Sequence, residues 1–549
     1  MRPWTLRLCL MVLLTLFGCA ALAAPSDPKP AAAGAATEAS KADGRFEPFK
    51  AESVTSSGSV TIGGRTIAYQ AIAGTLIVHP RGWDDVPRDP SEKPGGDQAG
   101  EAHNPTAEAS MFYVAYFKTG AGVRPVTFLY NGGPGSATMW LHMGAFGPRR
   151  VVTPTDSHAP GAPYSIVNNG SSLLDASDLV FIDAPGTGFS RIAGKDKEKA
   201  FWGVDADAYA FSQFIEQFLT KYSRWNSPKY LFGESYGTPR SAVVANQLAV
   251  DRSIDLNGVI LLSQILNFDL SPDGPANNPG IDIPYETALP TYAATAWYHH
   301  KLPGEHANLE AFLTEVEQFA MGDYAHALSA GWALAPEERA AIAAKLHEYT
   351  GLSVDYITKA NLRIDGGEFR QSLQSASDLT TGRLDTRFSG PDIDPLNQRA
   401  AYDPQSAALS SAYAAAFNEY VRTELHYGAG EEFKPHVQTH WNWTHQLPGE
   451  SETPATSRQG SNVMPDLANV MKQNPKLKVM LNAGYFDLAT PFFQGIYEMH
   501  HLPIPESLSS NIEFKFYQSG HMVYAREDSL KEMHDNVADF IHRTAQPGS

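Results

Sequence analysis

An α/β sandwich, with a mostly parallel central sheet flanked by helices, is the fold class this sequence predicts. Three observations predict it. Short apolar runs recur along the chain: "VTFLY", "DLVFI", "KYLF", "GVILL" and "LKVML". Runs that are apolar at every position suit strands buried on both faces, which is the situation in a parallel sheet covered by helices. Stretches with helical spacing fall between them, and glycine turns such as "YNGGPG" and "GESYG" close several of the runs. Strand, turn and helix in alternation build such a layered domain.

Before that rhythm begins, the chain reads as a leader. Arg2 and Arg7 precede an apolar run from Leu8 to Phe17, and small residues follow. Such a segment is too short to span a membrane and has the layout of an export signal. "Ala21-Leu22-Ala23" fits a small-x-small cleavage site, giving a signal peptide over 1–23. A rival reading takes "Leu16-Phe17-Gly18-Cys19" as a lipoprotein box with Cys19 lipidated. Cys9 and Cys19 are the only cysteines in the sequence. Cleavage after Ala23 therefore leaves no thiol for a disulfide, a nucleophile or a metal site. Residues 24–45 are rich in Ala, Pro, Ser and Gly without apolar period, the pattern of a disordered linker.

The 549 residues are 43% hydrophobic, enough for a large core. The formal charge of -18 excludes nucleic acid and acidic lipid as natural partners, because like charge repels. "SGSVTIGGRTIAYQAIAGTLIVHP" and "SMFYVAYFKTG" alternate around Gly-Gly turns and predict antiparallel strands. The parallel pattern starts at "RPVTFLYNGGPG". "DADAYAFSQFIEQFLTKY" spaces Phe211, Phe214, Ile215, Phe218 and Leu219 for one helical face. "SLKEMHDNVADFIHR" does the same with Leu530, Met533, Val537, Phe540 and Ile541. Residues 269–470 are mostly helical and irregular. They open after one core strand and close before "LKVML", so they predict a cap inserted between two parts of the core, 46–268 and 471–549.

The chemistry concentrates at "FGESYGTPRS". An apolar run precedes Ser235, Gly233 and Gly237 permit a tight turn, and Pro239 suits the first turn of a following helix. Such a turn lifts a serine hydroxyl into the open under backbone strain. A serine needs a base and an acid that orients it, in the chain order Ser, Asp/Glu, His. Asp487 follows the late strand "LKVMLNAG", and His521 sits in a Ser-Gly-His turn after "IEFKFY". His521 would take and return the Ser235 proton, with Asp487 holding its tautomer. Acyl transfer also needs donors for an oxyanion, and the N–H groups of Gly133 and Tyr236 are the candidates. A phosphate loop is a poor reading of "NGGPGS", which lacks Gly-Lys-Ser/Thr. No HExxH or other metal-ligand spacing occurs, so neither metal nor cofactor is expected. The "HWNW" stretch (440–443) offers aromatics either for a pocket or for the core.

Together "FLYNGGPGSATMWLHMGAFGPRRV", "DLVFIDAPGTGFS", "YLFGESYG", "NAGYFDLATP" and "SGHMVY" resemble the serine carboxypeptidases, the S10 peptidases of the α/β-hydrolase fold, and more narrowly their exported bacterial members. The resemblance covers about 120–268 and 475–545. It implies a triad of Ser235, Asp487 and His521, an oxyanion hole at Gly133 and Tyr236, peptide substrates, and a reader of the substrate's terminal carboxylate at Asn131 and Glu234. A carboxyl group can hold another carboxylate only while one of the pair is protonated. It also implies that Asp183 and Gly188 support the structure. Two positions depart from the family pattern: Leu129 stands where a Trp is common, and Ala145 where a second Glu is common. An esterase or acyltransferase on the same triad, and a non-catalytic binding protein on the same fold, are the rival expectations.

Overall fold

The computed structural model describes residues 49–83, 107–120, 122–449 and 462–545. The expected signal peptide, Cys19 and the linker lie outside the described residues.

Ten strands form one sheet: β1 (Ser53–Ile62), β2 (Arg65–Val78), β3 (Glu108–Lys118), β4 (Val126–Tyr130), β5 (Asp178–Ile182), β6 (Arg191–Ala193), β7 (Lys229–Glu234), β8 (Gly258–Leu262), β9 (Lys478–Gly484) and β10 (Ile512–Tyr517). Their order is β1-β2-β3-β5-β4-β7-β8-β9-β10, with β6 pairing β3. The sheet is antiparallel from β1 to β5. From β5 through β10 it is parallel. Helices cover both faces, and the protein has the α/β-hydrolase fold.

Alternation along the strands divides the core. Phe128 and Tyr130 of β4, and Val259 and Leu261 of β8, enter one apolar cluster. Leu129, Ile260 and Leu262 point the other way into a second, as the two-residue repeat of a strand requires. Leu129 is thus a core residue with no solvent exposure.

On the first face lie α1 (Val204–Lys221) and α2 (Gly237–Arg252), which pack together. The five apolar residues spaced along α1 are all buried, each worth about 1.5–3 kcal/mol of burial. The chain between β8 and β9 contributes α3 (Ile283–Tyr298), α4 (Pro404–Thr423) and α5 (Met464–Gln473). Helix α5 packs on α2, and the buried face of α4 joins the second apolar cluster. Within that same stretch, residues 434–442 run back along the core loops through bridges at Gly188–Lys434, Ser136–His436 and Gly203–Asn442. After β9, α6 (Phe492–His500) and, last, α7 (Glu527–Thr544) complete the layers.

What matters for function is register. Tyr130 lies opposite Gly233, Glu234 opposite Leu262, Leu262 opposite Asn482, and Gly484 opposite Tyr517. The loops leaving β4, β7, β9 and β10 therefore open on one edge. That carboxyl edge is where parallel α/β sheets bind ligands.

Candidate active site

Ser235 occupies the turn between β7 and α2 with φ of +59°, a left-handed conformation a side chain rarely takes without outside support. The support is visible. Its N–H donates to the Leu262 carbonyl (3.0 Å), and its own carbonyl accepts from the Thr238 N–H and hydroxyl (2.8 and 2.7 Å). A Cβ at Gly233 would lie 2.1 Å from the Gly237 oxygen, so the turn closes only over glycine. The serine is left partly exposed, at the wall of a cavity of about 230 Å³.

His521 lines the same cavity. Its Nδ1 meets Asp487 Oδ2 at 2.7 Å, which puts the ring proton on Nδ1 and leaves Nε2 as the free base. Asp487 has no solvent exposure. It accepts from the backbone N–H of Ala489 and Thr490 (2.9 and 3.0 Å) and from the Thr490 hydroxyl (2.7 Å). Three donors besides the imidazole fix the carboxylate. Burial alone would hold the His521 pKa down, but the charge and hydrogen bond of Asp487, with the charge of Glu234, outweigh it, and the net shift is upward. Serine and histidine are tied to consecutive residues at the end of β8: Ser235 to Leu262, and the His521 carbonyl to the Ser263 hydroxyl (2.7 Å). Among the described residues no hydrogen bond joins the Ser235 hydroxyl to the imidazole; the contact a proton relay needs commonly tightens only with substrate in place.

The loop after β4 forms the facing wall. A Cβ on Gly132 would sit 2.3 Å from the Tyr236 nitrogen, so the two loops touch backbone to backbone. Gly133, at φ +111°, lines the cavity. Neither the Gly133 nor the Tyr236 N–H has a protein acceptor among the described residues. Arg240, wholly buried, braces this loop by donating to the Asn131 carbonyl (2.7 Å) while paired with Asp207 (2.6 Å). The Tyr236 ring turns away from the cavity, into Phe268, Trp441 and Trp443, and its hydroxyl accepts from Trp441 Nε1 (3.1 Å). The tryptophans of "HWNW" thus back the oxyanion turn from outside.

Asn131 and Glu234 meet beside the serine. Asn131 Nδ2 donates to Glu234 Oε2 (2.8 Å), and its Oδ1 accepts from the Leu141 N–H (3.0 Å). The Tyr524 hydroxyl reaches both carboxyl oxygens of Glu234, at 3.1 and 2.9 Å. Glu234 is 3% exposed, and burial pushes its carboxyl up to about 7; the charge of His521 and the two hydrogen bonds oppose that rise without cancelling it. Tyr524 stands three residues after His521 inside "SGHMVY", a spacing that carries no turn or periodic signal of this role. Ala145, in a π-helical turn over Leu141–Phe146, is buried and brings no second carboxyl to this pair.

No sequence signal announces the segment 383–388, which clasps both late loops. Leu384 accepts from the His521 N–H (2.6 Å), Arg383 from Leu488 (3.1 Å), and Thr386 donates to Phe486 (2.9 Å). Asp385, buried and paired with Arg387 (2.6 Å), accepts from Gly520 (3.1 Å). Asp487 and His521 are therefore held by one hairpin contributed from the chain between β8 and β9.

Several known proteins are similar to the chain. The model of the serine carboxypeptidase family, Peptidase_S10, matches residues 101–525. The chain belongs to the serine carboxypeptidase family. Two pheromone-processing carboxypeptidases KEX1 are similar to it over shorter stretches. That of Yarrowia lipolytica is 30% identical over 141 residues, 25% of this chain, and that of Cryptococcus gattii 28% over 149 residues, 27% of this chain. The match spans 21% of the length of each relative. Among solved structures, VinJ matches 79% of this chain and 96% of its own at 14% identity, with a TM-score of 0.33. The family motifs in this serine carboxypeptidase family member fall on the loops that meet at the cavity.

Proposed function

We propose that the protein is an exported serine carboxypeptidase that removes C-terminal residues from peptides. Ser235 Oγ attacks the carbonyl carbon of the last peptide bond while His521 Nε2 takes its proton. The oxyanion forms against the N–H groups of Gly133 and Tyr236. His521, now an imidazolium stabilised by Asp487, gives the proton to the departing amine as the C–N bond breaks. Water, deprotonated by the same imidazole, then cleaves the acyl ester and restores Ser235. Asn131 and protonated Glu234 hold the free carboxylate of the terminal residue.

One observation carries this reading: a buried carboxyl whose pKa is lifted to about 7 stands next to a strained serine, in a cavity shared with an Asp-paired histidine. A carboxyl that stays neutral in weak acid is suited to receive a carboxylate. Export rests on the leader pattern of residues 1–23. The test is a time course of peptide digestion read by mass. A carboxypeptidase shortens free-acid peptides one residue at a time and leaves their C-terminally amidated counterparts intact. An esterase or acyltransferase on the same triad, favoured by the apolar Ala145 in place of a second carboxyl, would treat both alike.

A further inference from the structure

Most polar side chains around the cavity are engaged. Ser406 donates to Asp403 (2.7 Å), Ser410 to the Ser406 carbonyl (2.7 Å), and His436 pairs with Ser136 (2.9 Å). Arg383 is neutralised by Asp273 (3.0 Å from Nε). Gln405 is different. It lies in the first turn of α4, lines the cavity that holds Ser235, and has no solvent exposure. Its Nε2 and its Oε1 both lack a hydrogen-bond partner. Among the described residues no other buried side-chain amide leaves both its nitrogen and its oxygen unmet. Buried polar groups are almost always paired, and an unpaired amide in the wall of a site is a group awaiting a ligand.

We infer that Gln405 is a specificity-determining residue that receives the carboxamide side chain of an asparagine or glutamine adjoining the scissile bond. The inference rests on the carboxypeptidase reading above. A primary amide offers one donor and one acceptor side by side, and another primary amide is its complement. A substrate carboxylate would satisfy Nε2 and leave Oε1 unmet; an aliphatic side chain would leave both unmet. Neutralisation of Arg383 by Asp273 further disfavours an acidic side chain as the preferred occupant. Sites built to hydrogen-bond a substrate group discriminate against analogues without it far more sharply than apolar pockets do.

The experiment compares kcat/KM on peptides that differ only in the terminal or the penultimate residue, with Gln, Glu or Met there. The wild-type protein is expected to favour Gln over Met roughly ten- to hundredfold at one of the two positions. Gln405→Leu and Gln405→Met, each first checked for cooperative thermal unfolding, should lose that preference and gain on the Met peptide relative to Gln. Equal turnover of Gln and Met peptides by the wild type overturns the inference. So does a folded variant that keeps the preference, or one that loses rate equally on all peptides, which would mean contact with the backbone. A wild-type protein that releases no C-terminal residue from any peptide removes the underlying reading, and this inference with it.

Discussion

Replacing Glu234 by Gln freezes the carboxyl in a neutral form of the same shape. Burial lifts the Glu234 pKa from 4.5 to about 7. At about 1.4 kcal/mol per unit, the folded site prefers the neutral form by roughly 3 kcal/mol. Above pH 7 the wild-type group ionises and would repel a substrate carboxylate. At pH 8 roughly a tenth of the enzyme keeps the proton, so kcat/KM on free-acid peptides should fall about tenfold per unit beyond the pKa. E234Q should hold its rate through pH 8. It can accept from Asn131 and Tyr524 with its oxygen and turn its amide N–H towards the cavity. The acid limb should move as well. Glu234 charge helps raise His521, so E234Q should shift that limb to lower pH; since the two groups sense each other, both limbs belong to the pair. Stability follows the same sign. The folded pKa is the higher one, so the stabilisation is full below about 4.5, is lost as pH rises towards 7, and stays lost above. E234Q should therefore be more stable than wild type at pH 8, by up to about 3 kcal/mol, and differ less at pH 5. The assay is a kcat/KM profile from pH 5 to 9 with denaturant unfolding at both ends. An alkaline limb unchanged in E234Q would refute the assignment of Glu234 as carboxylate reader.

Three further outcomes are expected. Tyr524→Phe deletes a hydrogen bond that lowers the Glu234 pKa, so the alkaline limb on free-acid peptides should move to higher pH, read from the same rate profile. Asp487→Asn should keep the fold and lower kcat about 10⁴-fold, because the amide cannot hold the Nδ1–H tautomer; single-turnover kinetics checks it. Gly188→Ala puts a Cβ 1.8 Å from Asp183 Oδ2 at φ of +55°, and should cost at least about 2 kcal/mol in denaturant unfolding.

Much of this was legible in the sequence because it is encoded locally. Apolar strands such as "GVILL" announce themselves through residues that must be buried on both faces, and the turn at Ser235 through glycines that only a close backbone approach requires. The Asp487–His521 hydrogen bond joins residues in separate loops, yet each loop follows a recognisable strand. Tyr524 escaped because a tyrosine three residues after a histidine has no periodic or turn signature; only the crossing of its loop with the end of β7 gives it a partner. Gln405 and the 383–388 hairpin are harder still. Their roles come from contacts across more than a hundred residues, as between Asp385 and Gly520, and from a hydrogen bond not made, which no sequence pattern records.

The most direct test is covalent labelling with a fluorophosphonate, with the adduct located by peptide mass. One equivalent per chain, on Ser235, with the rate cut at least about 10³-fold in His521→Ala, is the result expected from a nucleophile that depends on its imidazole. No label, label at another residue, or labelling indifferent to the loss of His521 would contradict the account.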